Sequence, residues 1–237
     1  MIYLRKSRVY LLCCLLLAAA ACSSTRTDNA GGNNAAPPST AANPTAGGAN
    51  PRAALSAAVK AQLEAKSFRA QMQSSTSSGT TSAMVVEYVA PDRFHMTQDA
   101  QLPGRGSVKQ EFIIVGKDTW LKMGAGAWQK FPVDVGQIVA QFRDPKVLEQ
   151  LAQNADIKFV GADTLDGAPA LVYEYTLTGE LAKNIKSTSK TWIGATDNLP
   201  RKIETEGELQ STGQPLKTKT TIIYTGYNSD IKIEPPK

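Results

Sequence analysis

The part of this chain that reads as folded contains no cysteine. The three cysteines of the 237-residue sequence are Cys13, Cys14 and Cys22, and none follows. Disulfides and thiolate metal sites are therefore excluded downstream, and stability must come from a hydrophobic core. Histidine is almost as scarce. His95 is the only one, and it stands between Phe94 and Met96 with no motif around it. A triad has no second candidate base, and zinc has too few ligands. Ser74 to Ser78 has no elbow glycines, and no glycine-rich phosphate loop occurs. Asp163 to Gly167 lacks the alternating oxygens and closing Glu of a calcium loop, so it reads as turn chemistry. Glu204, Glu206 and Glu208 alternate with apolar neighbours, the pattern of a solvated strand face. These absences predict no catalytic residue, no metal and no cofactor, and they favour a binding role over an enzyme.

Long hydrophobic runs are also missing, with one exception. Val9 to Ala21 is apolar for 13 residues, preceded by Arg5, Lys6 and Arg8 without an acidic residue. That length suits the core of a secretory signal and falls short of the ~20 residues of a spanning helix. The run ends Ala19-Ala20-Ala21-Cys22, which resembles the lipobox of bacterial lipoproteins. The resemblance implies a signal peptide over 1–21 and lipidation (diacylation, palmitate-type chains) of Cys22. It departs at Ala19, where Leu is usual, and cleavage by an ordinary signal peptidase stays open. Ser23 follows the cysteine instead of the Asp that favours inner-membrane retention, which implies the periplasmic face of the outer membrane in a cell that has one. Removing residues 1–21 removes three basic residues and lowers the formal charge from +5 to +2. So small an excess, in an exported chain, argues against nucleic acid as a partner.

Residues 22–51 contain no aromatic residue and no aliphatic larger than Ala. They cannot bury enough apolar surface to offset ordering entropy, so the composition predicts a disordered tether. From there residues 52–237 form one domain. Arg52 to Lys66 reads as a helix, with Leu55, Val59 and Leu63 on one face and Pro51 in the first turn. The period then changes to two. Strands are predicted over 67–77, 82–89, 93–98, 108–115, 119–123 and 128–131, separated by short turns. Helical spacing returns over 133–142 and, after Asp144-Pro145, up to about 154. Strands resume over 157–164, 168–178, 187–193, 201–210 and 216–227, with Asp166-Gly167 as a hairpin signal. About ten strands with one wet face predict an α+β fold. Its sheet should be antiparallel and strongly curved, with short helices over the concave side.

Local phrases point the same way: Tyr88-Val-Ala-Pro-Asp-Arg-Phe94, Gly116-Lys-Asp-Thr-Trp120, Gly126-Ala-Trp128, Val160 to Ala170 and Thr191 to Arg201. In this order they resemble the LolA/LolB-like superfamily, including the LppX/LprG lipoproteins. That resemblance implies a half-barrel enclosing an apolar cavity for a lipid or acyl chain. It also implies anchoring at a membrane and traffic with other lipoproteins. The alternative is an RseB-like module for protein interaction or envelope-stress sensing, without lipid transfer. No lipid-contact residue of the family matches a position here, so the candidate lining comes from alternation alone. It comprises Met84, Val86, Tyr88, Phe112 and Ile114 in the first strand run. The insertion adds Ile138, Phe142 and Leu148, and the second run adds Leu171, Tyr173 and Tyr175. Lys183, Lys186, Lys190, Lys202, Lys217 and Lys219, with Arg201, cluster in the second run; their ordinary reading is solvated strand positions, and gathered at a rim they would attract anionic head groups.

Overall fold

The computed structural model describes residues 50–132, 135–136, 154–179, 182, 185–209 and 214–237. Residues 1–49, with Cys22 and most of the tether, lie outside the described residues, as does most of the insertion, including Ile138, Phe142 and Leu148.

Helix α1 spans Pro51–Glu64. The Asn50 side chain accepts a hydrogen bond from the Ala53 N–H at 3.0 Å, capping the first turn. Pro51 sits where a missing N–H costs nothing. Leu55, Ala58 and Val59 are buried, so the predicted stripe is the packed face.

Six strands follow: β1 (Ser67–Thr76), β2 (Thr81–Val89), β3 (Arg93–Leu102), β4 (Gly106–Val115), β5 (Asp118–Met123) and β6 (Gln129–Phe131). Beyond the insertion come β7 (Ala155–Leu165), β8 (Ala168–Leu177), β9 (Ile185–Gly194), β10 (Pro200–Leu209) and β11 (Leu216–Thr225). The β3–β4 hairpin is longer than predicted, because pairing continues to Leu102 opposite Gly106. Polar cross-strand contacts sustain that extension: Ser107 Oγ donates to Asp99 at 2.8 Å. At the β7–β8 turn Asp166 and Gly167 both have positive φ (50° and 79°), the requirement of a tight two-residue hairpin.

The strands form one 11-stranded antiparallel sheet in the order β6-β5-β4-β3-β2-β1-β11-β10-β9-β8-β7. Each run is a meander, and the first and last strands of the domain pair at the centre. Edges β6 and β7 do not pair, so the sheet is an open half-barrel, an α+β fold. The insertion runs between strands at opposite edges. Val135, on its described part, packs against the main core cluster.

That cluster lies on β1–β4, β10 and β11, around Phe68, Tyr88, Phe94, Ile114, Ile222 and Tyr224. Tilted aromatic rings run through it, with Tyr88 4.9 Å from Phe94 and 5.1 Å from Phe68 between centroids. A second cluster places Leu55, Ala58 and Val59 of α1 on Tyr173, Tyr175 and Ile193. The C-terminal segment closes one end of the first cluster. The Asn228 N–H donates to the Ser67 carbonyl at 2.9 Å, Arg93 Nη1 donates to the Ile233 carbonyl at 2.6 Å, and Ile233 is buried.

Tyr173 is fully buried under α1, whereas Val160 is about half exposed at the β7 bulge. Tyr173→Ala is expected to cost about 3–5 kcal/mol in urea unfolding, and Val160→Ala less than about 0.5 kcal/mol.

Candidate functional site

Strand register decides which residues share a face. Met84, Met72, Ile222, Ile203, Thr191 and Tyr173 are consecutive cross-strand partners over β2, β1, β11, β10, β9 and β8. Because side chains alternate, this row lies on one face, and α1 covers that face at Tyr173. It is the inner face of the half-barrel. Towards one end follow Ala70, Val86 and Met96, then Phe68, Tyr88 and Phe94, all buried.

Towards the other end the chemistry changes. The next row reads Ser82, Ser74, Thr220, Thr205, Ser189, again in consecutive register. Ser189 and Thr205 share a buried hydrogen bond of 2.9 Å, and Thr220 donates to Ser74 at 3.3 Å. Ser187 lies one row further, and its buried hydroxyl has no hydrogen-bond partner among the described residues. The inner face thus grades from aromatic through aliphatic to neutral hydroxyl. Burial raises the pKa of Tyr173 and Tyr175 and pushes Tyr224 up to about 12, so these phenols remain neutral over the physiological range.

Of the candidate lining residues, Met84, Val86, Tyr88 and Ile114 are buried in the first cluster, with Phe112 packed partly buried against it. Tyr173 and Tyr175 belong to the second, with Leu171 at its margin. The described candidates therefore share a face but fall into two groups. Between α1 and the sheet, the cavity bounded by Val59, Gln62, Tyr175 and Ile203 is only about 20 Å³, room for about one water. The candidate lining leaves out Met72, Ile203, Ile222 and Tyr224, which link the groups, because nothing local to β1 and β11 marks them as partners.

The lysines of the second run turn outward. Lys190 lies between Glu204 and Glu174, and Lys217 opposes Glu208. Lys202 pairs with Glu204 at 2.6 Å and Lys219 with Glu206 at 2.7 Å. Lys183 is outside the described residues. The described lysines face outward, with Lys202 and Lys219 in ion pairs there, so they do not form a basic rim to the inner face. Trp192 is buried beside them. Its indole N–H donates to Asp163 at 2.8 Å, which holds that carboxyl below its ordinary pKa, and Lys202 lies 4.6 Å from the ring centroid.

His95 also faces outward. Its Nδ1 is 3.2 Å from Glu87 and its Nε2 2.8 Å from Glu111. Arg69 donates to Glu87 from Nε at 3.0 Å, and Lys122 to Glu111 at 3.3 Å. The result is a ladder of carboxylates alternating with basic side chains across β1–β5, with both imidazole nitrogens already engaged. Hydrogen bonds from Arg69 and then His95 hold the Glu87 carboxyl below its ordinary value against the opposing effect of burial. At Glu111 burial pushes upward, but hydrogen bonds from His95 and Lys122 outweigh it and the net shift is down. Among the described residues, no group of three or more His, Cys, Asp or Glu is arranged to hold a metal ion.

No protein-family model matches the chain, and no curated protein matches it. Among solved structures it is similar to a DUF1329 family protein from Desulfovibrio piger, with 12% identity and a TM-score of 0.30 over 77% of this chain and 94% of that one. It is similar to a LolA superfamily protein from Nitrosomonas europaea, with 9% identity and a TM-score of 0.27 over 76% and 93% of the two chains. It is also similar to the Pseudomonas aeruginosa MucA/MucB complex structure, with 18% identity and a TM-score of 0.40 over 75% of this chain and 58% of that one. Such similarities carry no activity, ligand or partner across to this chain.

The ladder makes a signed prediction. A carboxyl whose folded pKa is depressed stabilises the fold above its unfolded value and loses that contribution as pH falls through the folded one. Glu87 has an ordinary value of 4.5. Glu87→Gln should therefore lower the urea midpoint at neutral pH, with the two proteins converging as the pH falls below 4.5 and through the depressed folded value.

Proposed function

We propose that this chain is an exported cell-envelope lipoprotein, anchored through Cys22, that binds a lipid or acyl chain against the inner face of its half-barrel. The observation that supports this most is the extent of that face. Buried apolar side chains occupy it on each strand from β4 through β1 and β11 to β8, interrupted at Thr191, while α1 packs over β7–β10 and reaches Tyr224 of β11 through Gln62. Met72, Met84, Val86 and Met96 form a second apolar field on that face, beyond the cluster that packs on α1. Methionines suit such a field, because their unbranched, polarizable side chains repack around ligands of varied shape. The adjoining row of serines and threonines offers hydrogen bonds to an uncharged polar group, such as an ester. The outward, paired lysines favour a neutral or zwitterionic head over an anionic one. Binding and release of this kind involve no covalent chemistry.

The lipid reading predicts that protein purified from its own membrane carries lipid into native mass spectrometry and, once stripped, binds an apolar fluorescent probe. Met84→Gln, on the inner row, should weaken probe binding about tenfold, or ~1.4 kcal/mol. Val85→Gln, the next residue but facing outward, should not. An empty protein that ignores the probe would sink this reading and leave protein interaction as the role of the domain.

Anchoring has its own test. Cys22→Ser should move the protein from the membrane fraction to the soluble one. If wild type is soluble as well, the lipoprotein reading fails while lipid binding stands.

A further inference from the structure

The outer face carries a feature independent of the inner one. A trough of about 420 Å³ crosses β1 to β5. Most of its lining points outward, with Val85 and Thr97 from one row and Ala83 and Asp99 from the next, and Met72, Met84, Gln98 and Gln110 of the intervening inward row border it from beneath, so it opens on the face opposite α1. A strongly twisted sheet is saddle-shaped, and a surface that wraps inward along one diagonal is hollow outward along the other. Spanning five strands, the trough is roughly 19 Å long at about 4.8 Å per strand spacing.

The chemistry of its walls is specific. At one end Lys109 pairs with Asp99 at 3.5 Å and Lys122 with Glu111 at 3.3 Å, so each cation there is already matched. The rest of the hollow is uncharged. Thr97, Val85, Gln71 and Ile223 are consecutive partners in one row, and Ala83, Gln73 and Thr221 in the next. This block is flanked by Glu111 and Asp99 on one side and by Lys202 and Glu204 on the other. Charge-paired positions thus give way here to small apolar groups, amides and hydroxyls. The side chains of Gln71, Gln73 and Thr97 are exposed and make no hydrogen bond among the described residues.

We propose that this trough binds a neutral oligosaccharide. With the charges satisfied in pairs, what remains to recognise a ligand is neutral: amides and a hydroxyl that both donate and accept, above a small apolar floor of Ala83 and Val85. That combination matches the hydroxyl edges and C–H faces of a sugar chain. An extended peptide fits less well. The strands beneath the trough already pair their backbone groups with one another, so the sheet offers no ladder for strand addition. The site does not depend on the inner face and stands or falls separately from the lipid reading.

The test is heteronuclear NMR of the full exported chain with chitotetraose, cellotetraose and maltotetraose as probes. At least one should shift the side-chain NH₂ signals of Gln71 and Gln73 and the amides of Val85 and Thr97, leaving Tyr173 and Ile203 unmoved. Ala83→Phe fills the trough at an exposed strand position that tolerates an aromatic. It should weaken binding about tenfold or more, and Gln73→Ala should weaken it in the same direction without altering the floor. A uronic-acid tetramer should bind no more tightly than the neutral chains. The proposal is overturned if no neutral probe shifts these signals at millimolar concentration or the shifts map elsewhere. It is equally overturned if Ala83→Phe binds as well as wild type, if the acidic tetramer is preferred, or if a Ser/Asn peptide engages the trough and the sugars do not.

Discussion

The pairing of β1 with β11 is the contact on which the rest depends. It joins residues from the two ends of the domain: Thr220 reaches Ser74 across 146 residues of sequence. Without it the chain holds two separate meanders of six and five strands. With it, Met72 meets Ile222 and Ala70 meets Tyr224, and the inner rows become continuous from β4 to β8. Closing so long a loop is entropically costly before any contact rewards it. The compensation is concentrated there. Phe68, Ala70 and Met72 of β1 and Ile222 and Tyr224 of β11 are all buried, and the C-terminal segment locks onto Ser67 immediately before them.

The same pairing keeps the structure open. Because the two ends of the domain occupy the centre, β6 and β7 become the edges. A sheet closed edge to edge would enclose its inner side chains as a fixed core. Here the inner face is bounded by α1 over the β7–β10 side and by Tyr227 and Ile233 at one end of the β1–β4 side. The aromatic cluster of Phe68, Tyr88 and Phe94 holds one end, and the hydroxyl row from Ser82 to Ser189 lines the other.

Much of this was legible in the sequence, and the reason is period. Met84, Val86 and Tyr88 alternate with exposed or half-buried residues, and Tyr173 and Tyr175 flank half-buried Glu174, so strand identity and inward face are readable position by position. Asp166-Gly167 marked its turn because few other dipeptides accept two positive φ values in succession. What local pattern could not supply was partnership. Nothing in the residues of β1 names β11 as its neighbour, so Met72, Ile203 and Ile222 were not placed beside Met84. The lysines show the same limit: their spacing gives solvated strand positions, and only the register shows that Glu174, Glu204, Glu206 and Glu208 stand beside them. His95 looked isolated for the same reason, since its partners Glu87 and Glu111 come from the two flanking strands.

Alternation also explains how one sheet can serve two kinds of surface without conflict. Val85 and Val86 are adjacent and chemically identical, yet Val86 lies in the aromatic-aliphatic core and Val85 on the floor of the outer trough. A slip of one residue in β2 would exchange them, setting Glu87 among Phe68 and Phe94 and turning Tyr88 outward. The fold excludes that slip from both sides at once. Inside, an ionised Glu87 would lose water without gaining a partner; outside, the ladder through Arg69 and His95 would be broken. Charge on one face and apolar bulk on the other thus fix the same register. That shared constraint leaves uncharged outward positions such as Ala83 and Gln73 free to carry a role of their own.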